Sequence, residues 1–247
     1  APAGGVEQFI AAVENGADAI YLGGRSFNAR MKAGNFDDAM LVKAVDFAHK
    51  RGVDVHVAMN ILLRDDELRD ALEYATFLYE TGVDALIVQD LGLASLIYKN
   101  LPDFPLHLST QGTVHSLDGV KAAERMGFRR VVLSRELSCE EIKFICANTK
   151  TEIETFVHGA ICICYSGQCQ LSRAFGGRSG NRGECAQPCR LRYNSFDEDV
   201  RLMEKGSHAI SPKDLSLIDH LGKLVEAGVA SLKIEGRMKS PEYVGVV

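Results

Sequence analysis

One junction recurs along this chain: an amphipathic helix ends, a glycine follows, and a short apolar run suited to a strand begins. It reads VENGADAIYLGG around Gly16, HKRGVDVHVAMN around Gly52 and YETGVDALIVQD around Gly82. It returns as ERMGFRRVVLS around Gly127 and VEAGVASLKIEG around Gly228. Each glycine follows a stretch such as DDAMLVKAVDFAHKR, where a residue in the left-handed conformation ends the helix without a Cβ penalty. The runs that follow are nearly continuous in apolar residues, as in parallel strands covered on both faces.

Strands near 19–23, 53–59, 83–89, 105–110, 130–134, 152–158 and 230–235 make seven, and the opening APAG reads as the tail of an eighth, followed by a helix over 6–15. Eight βα units in 247 residues predict an α/β fold, a (β/α)₈ barrel of the TIM type, as a single domain over 1–247. A doubly wound open sheet is the alternative, because local pattern does not report closure. The last helix begins near Ser240-Pro241-Glu242 and stops early, so the reading expects truncation at both ends. Residues 160–210 interrupt the alternation as an insertion after the seventh strand, with a hairpin at LRYNSFDEDVRLM.

Hydrophobic residues make up 46% and charged residues 25%, an ordinary soluble composition. No run of about 18 apolar residues suggests a membrane span, and no basic, apolar leader pattern opens the chain. A core of this size needs no disulfide staples, so its thiols point to a reducing, cytoplasmic setting and to metal binding rather than cross-links. The net charge of −5 excludes a bulk electrostatic binder of nucleic acid. Locally, Arg173, Arg178, Arg182, Arg190 and Arg192 face only Glu184. They form either a basic patch for an anionic substrate or RNA phosphate, or a solvated loop.

A barrel gathers its functional groups at the C-terminal ends of its strands. Those positions hold Tyr21, Asn60, Gln89, Asp90, Thr110, Gln111, Ser134, Arg135, His158, Glu235 and Arg237. Glu154, His158 and Glu235 are acid–base or positioning candidates on that placement. Glu154 reads equally as a buried partner of a barrel Arg or Lys.

Five of the seven cysteines lie between Cys162 and Cys189. Cys162 and Cys169 are separated by six residues, and Cys185 follows sixteen positions after Cys169. Neither the paired short spacings of a zinc ribbon nor the bacterial ferredoxin run is present. Uneven spacing across a glycine-rich loop still lets ligands converge, and thiolates suit a soft or iron–sulfur centre, with zinc as the alternative. Cys139 and Cys146 lie seven residues apart on one helix and read as core-facing. Cys162 with His158 also forms a Cys–His pair on paper.

The segment ETFVHGAICICYSGQCQLS at 154–172 resembles the signature of the U32 peptidase family, E-x-F-x-x-G-A-x-C followed by G-x-C-x-x-S. APAG, GADAIYLGG, GECAQPCR, SPKDL and SLKIEGRMKS extend the resemblance along the whole chain. The family is named for collagenase-like proteases, which implies a hydrolase acting in proteolysis. Neither H-E-x-x-H nor G-x-S-x-G is present. Other branches are oxygen-independent hydroxylation factors acting on a wobble uridine of transfer RNA, a cytidine of ribosomal RNA, or the ubiquinone ring. These carry a four-cysteine [4Fe–4S] centre, and the RNA-modifying members are linked to prephenate. The resemblance places three ligands at Cys162, Cys169 and Cys185. The fourth commonly comes from a D-L-C stretch that here reads Asp214-Leu215-Ser216. Either Cys189 supplies it, or the cluster is incomplete or lost. The expected function is therefore iron–sulfur-dependent hydroxylation of an RNA base. Arg173, Arg178, Arg237 and Lys239 are candidates for holding prephenate or a phosphate, with tRNA or rRNA as substrate and a protein partner or further C-terminal domain assisting. A peptidase and a non-catalytic iron–sulfur partner are the alternatives.

Overall fold

The computed structural model describes all residues 1–247. An opening segment leads into α1 (Val6–Glu14), β1 (Ala19–Leu22), α2 (Asp38–His49), β2 (Asp54–Met59) and α3 (Leu68–Glu80). There follow β3 (Ala85–Val88), α4 (Leu91–Asn100), β4 (Leu106–Leu108), α5 (Leu117–Arg125), β5 (Arg130–Val132), α6 (Cys139–Ala147) and β6 (Glu152–Gly159). The insertion contains α7 (Leu171–Gly176), the hairpin β7 (Tyr193–Phe196) and β8 (Leu202–Ser207), and β9 (Leu215–Ser216). α8 (Leu221–Glu226), β10 (Ser231–Ile234) and α9 (Pro241–Val246) complete the chain.

The junction glycines behave as the sequence predicts: Gly16, Gly52, Gly82, Gly127 and Gly228 all have φ between 70° and 92°. Helix starts are equally local. Asp37, Asp90, Ser116, Ser138 and Ser240 each accept a backbone N–H from the first turn, worth about 1 kcal/mol per cap.

The main sheet runs β1-β2-β3-β4-β5-β6-β10, every neighbour parallel, with β9 added antiparallel to β6. Strand order follows chain order without reversal, which removes the doubly wound alternative, since that fold reverses at a switch point. The opening segment takes the eighth position: Pro2 bridges Tyr21 in parallel, and Ala3 N donates to Tyr21 O at 3.0 Å. No ladder joins β10 to this segment. Instead Tyr21 Oη donates to Ile234 O at 2.9 Å, and Gly4 lies so close to Arg237 O that a Cβ there would overlap it.

Strand side chains alternate between two environments. Ile20, Val57, Leu86, Val131 and Ile153 join the 39-residue apolar core that the helices cover. Their neighbours on the inner face include His56, His107, Glu154 and Lys233, all buried. Branched aliphatics usually fill such an interior. Here Lys233 Nζ donates to Glu154 at 2.6 Å, while Arg130 and Ser231 reach the other carboxylate oxygen at 3.3 and 2.9 Å.

Candidate functional site

Seven of the predicted strand-end residues, Tyr21, Asn60, Thr110, Gln111, Arg135, Glu235 and Arg237, line one cavity of about 140 Å³ at the barrel mouth. Gln89, Asp90, Ser134 and His158 do not line it. Asp90 caps α4 and also accepts Leu63 N at 3.1 Å. His158 Nδ1 is bonded to Tyr243 Oη at 2.9 Å, so the Cys162–His158 pair drawn from sequence is not a nucleophile and base facing one cavity.

The insertion roofs this mouth. Cys162, Cys169 and Cys185, from three separate turns, all line the cavity. Cys169 Sγ accepts Leu171 N at 3.5 Å, and Cys185 Sγ accepts Gln187 N at 3.4 Å and Ser172 Oγ at 3.7 Å. Cys189 stands outside the cavity lining. Burial pushes its thiol up, Arg190 pulls it down, and Cys162, Cys185 and Cys169 are each near enough to push it up further. Ser216, at the position of the family's later cysteine, is exposed and paired with His158 between β9 and β6. It does not line the cavity. All seven cysteines are free thiols. No group of three or more His, Cys, Asp or Glu side chains is arranged to grip a single metal ion.

Two latches hold the roof. Arg182 donates to Glu67 at 2.9 and 2.7 Å and to Leu62 O at 2.8 Å, and Leu62 N donates to Asn181 O at 3.0 Å. The hydrogen bond from Arg182, outweighing burial, pulls the Glu67 carboxyl down to about 2. Thr113 Oγ1 donates to Ser166 O at 2.5 Å, and Glu136 accepts from Ser166 N at 3.1 Å. Between these anchors Gly167, at φ 77°, packs so tightly that a Cβ would stand 2.2 Å from Gln111 O. Gly167→Ala is therefore expected to lift the Cys162–Cys169 turn, costing on the order of 1–3 kcal/mol of local strain. Limited proteolysis should then cut within 160–170 faster than in the parent, while the barrel's melting temperature changes little.

The arginine patch read from sequence is largely internal wiring. Arg178 Nε donates to Glu184 O at 3.0 Å. Arg190 ties Ile161 O (2.7 Å), Ser211 Oγ (2.9 Å) and Pro212 O together across the insertion. Arg173 and Arg192 are exposed. Lys239 pairs with Asp214 at 3.1 Å. Of the four cations proposed for a cofactor, only Arg237 lines the cavity.

Among the acid–base candidates, Glu235 lines the mouth, whereas Glu154 sits deep in the barrel interior with Lys233, Arg130 and Ser231. Glu154 is the buried ion-pair partner that was its other sequence reading. Burial pushes Glu235 up, but Arg30, Arg135 and Arg237 outweigh it and hold the carboxylate below its ordinary range. Sequence reasoning missed Arg30 and Lys233. Lys233 carried a signal, standing two residues before Glu235 on the same strand face. Arg30 carried none, because it enters through the fold of the loop after β1.

A model of peptidase family U32 matches residues 4–247. The 23S rRNA 5-hydroxycytidine C2501 synthase of Escherichia coli is 45% identical over 94% of this chain, which spans 35% of that protein. The tRNA hydroxylation protein P1 of Bacillus subtilis is 40% identical over 100% of this chain, which spans 60% of it. A Porphyromonas gingivalis protein named collagenase is 33% identical over 100% of this chain and 62% of its own length. In fold, the chain is similar to the solved structure of the U32 peptidase Mk0906, with TM-score 0.56 and 17% identity over 88% of this chain and 83% of that one.

Proposed function

The chain belongs to peptidase family U32, and from that premise we propose that it takes part in oxygen-independent hydroxylation of a pyrimidine base in ribosomal or transfer RNA. The proposal includes an iron–sulfur cluster held by Cys162, Cys169 and Cys185, with Cys189 as the fourth ligand. The observation that carries it is the convergence of those first three thiols on the cavity that the strand ends form.

The donor set fits a cluster. Soft thiolates suit iron–sulfur ligation, which commonly draws on four cysteines, and Cys162, Cys169 and Cys185 with Cys189 supply that number. Cys189 is closer to the function than Ser216 because its thiol already feels the other three. When bound, such a cluster supplies one-electron chemistry that protein side chains lack.

The chain's own residues do the rest. The insertion covers the mouth and brings its cysteines to the cavity wall. Glu235 stays ionised among three guanidiniums and orients Arg30 and Arg135. A base reaches so recessed a site only out of its stack. The net charge of −5 leaves broad RNA affinity to surfaces outside this barrel. Free thiols at all seven cysteines suit a reducing cytoplasm, and no helix is long and apolar enough to cross a membrane. Prephenate as a required metabolite belongs to this same reading.

Deleting the gene should remove one hydroxylated pyrimidine from ribosomal or transfer RNA, read by mass spectrometry of nucleosides, and plasmid-borne protein should restore it. An unchanged nucleoside profile in both RNA classes would reject the RNA role. Gelatin hydrolysis by iron-free protein would favour the peptidase.

A further inference from the structure

We infer that the barrel mouth contains a binding site for a small anion, a carboxylate or phosphate group seated among Arg30, Arg135 and Arg237. The inference deepens the proposed function, resting on that reading for the purpose of the cavity but not for the existence of the site.

The charge balance of the cavity is its starting point. Arg30, Arg135, Arg237 and Lys233 line it, against Glu235 as the one carboxylate. Lys233 is already committed, donating to Glu154 at 2.6 Å behind the cavity wall. Three guanidiniums thus share one carboxylate, and they share it loosely. Arg30 reaches one Glu235 oxygen at 3.4 Å and Arg135 the other at 3.5 Å, with side chains 32% and 11% exposed. Arg237 makes no ion pair at all. Its Nη1 contacts Asn28 Oδ1 at 3.5 Å, and the residue is 5% exposed.

Arg30 is held by Glu235, but a buried guanidinium such as Arg237 rarely stands without an ion pair, because an unpaired buried charge is strongly unfavourable. The donors left over confirm the imbalance: Arg135 Nε and Arg237 Nε are buried without any hydrogen-bond partner. Burial first, and Arg30 second, pull Arg237 down to about 10 against the opposing influence of Tyr21 and Glu235. Planar guanidiniums with free N–H groups match carboxylate and phosphate oxygens in a fork geometry.

The walls define the rest of the ligand. Ile87, Val132 and Phe156 line the inner part, and Arg135 stacks 4.0 Å from the Phe156 ring centroid. A compact molecule with an anionic end at the arginines and an apolar body against these side chains fits a cavity of about 140 Å³. Arg173, Arg178 and Lys239 take no part.

One competing role for the same charges is neutralising thiolates, since Arg30 is near enough to Cys185 to feel its thiol. The experiment separates the two. Anaerobically purified protein of measured iron content is titrated with malonate, with inorganic phosphate and with chloride at matched ionic strength, following the thermal midpoint and calorimetric binding. Saturable stabilisation by malonate or phosphate, absent with chloride, is the expected result, and whichever of the two binds tighter identifies the anion class. Arg30→Gln and Arg135→Gln should each weaken that binding about tenfold or more, whereas Arg69→Gln, on the outer surface, should leave it unchanged. Arg30 is one-third exposed, so its variant keeps the test alive if Arg135→Gln fails to fold. Three outcomes overturn the site: no saturable effect, an equal effect in parent and arginine variants, or arginine variants that lose iron while binding the anion as the parent does. Anion binding in a protein that proves inactive on RNA would sink the proposed function and leave this site standing. Hydroxylation without anion binding would do the reverse.

Discussion

Cys162→Ala, Cys169→Ala or Cys185→Ala should each remove the brown colour and visible absorption of anaerobically purified protein and abolish hydroxylation. The loss should exceed the roughly 10–100-fold that outer-shell partners of a metal centre cost, because a ligand itself is removed. The three side chains come from separate turns of the roof, so removing one leaves the other two in place. The barrel should survive, since Cys162 and Cys185 are exposed and none of the three belongs to the apolar core. Cys189→Ala should behave like these three, and Ser216→Ala like the parent, because Ser216 is exposed on β9 and does not line the cavity. Circular dichroism and iron analysis on the same samples separate cluster loss from unfolding. Colourless parent protein carrying stoichiometric zinc would overturn the iron–sulfur assignment.

The second large effect lies in the barrel interior and concerns stability. Glu154→Gln should destabilise the fold by about 3–5 kcal/mol, the usual result of leaving a buried partner charge uncompensated. Lys233, with a side chain 8% exposed, would then be a buried cation facing Arg130 and two histidines without its carboxylate. A double change, Glu154→Leu with Lys233→Met, should recover most of the loss, because the pair's attraction roughly offsets its desolvation. Denaturant unfolding of the three variants measures this directly.

The same cluster sets the acid limb of stability. Burial pushes Glu154 up, but Lys233 above all, then His107 and Arg130, bring it from the ordinary 4.5 down to about 2. Its folded form therefore favours the carboxylate, and that contribution is present above about pH 4.5 and lost as pH falls towards 2. Burial also lowers His56 from 6.5 to about 4. The neutral ring is favoured in the fold, so this contribution is present above pH 6.5 and lost on descending to about 4. Each shift corresponds to on the order of 3 kcal/mol. The melting temperature should thus begin to fall near pH 6 rather than near pH 4. His56→Gln should flatten the upper part of that limb. An acid limb identical in parent and variant would remove His56 from the account.

The barrel was legible because its signals are local. A helix-ending glycine and an apolar run report on neighbouring residues, and five such junctions marked out most of the βα units. The hairpin and α9's Ser240 cap were legible for the same reason. The site was legible only in part. Cys162, Cys169 and Cys185 stood out by crowding and by the family signature, but their meeting at the mouth depends on latches such as Glu67–Arg182, 115 residues apart in the chain. Glu154 and His158 share β6 with the mouth yet are turned to other partners, Lys233 and Tyr243. Strand-end placement does not distinguish these cases.

The sequence by itself therefore determined the alternation of helices and strands, the position of the insertion and the identity of the crowded thiols. Each of these is set by spacing, backbone conformation or composition along a short stretch of chain. Only the tertiary structure decided which charges share the cavity. Arg30 from the loop after β1, Arg135 from beyond β5 and Glu235 with Arg237 from beyond β10 are distant in the chain and adjacent in the mouth. Curling of the sheet brings them together, and the excess of positive charge they create in the mouth is a property of that curl.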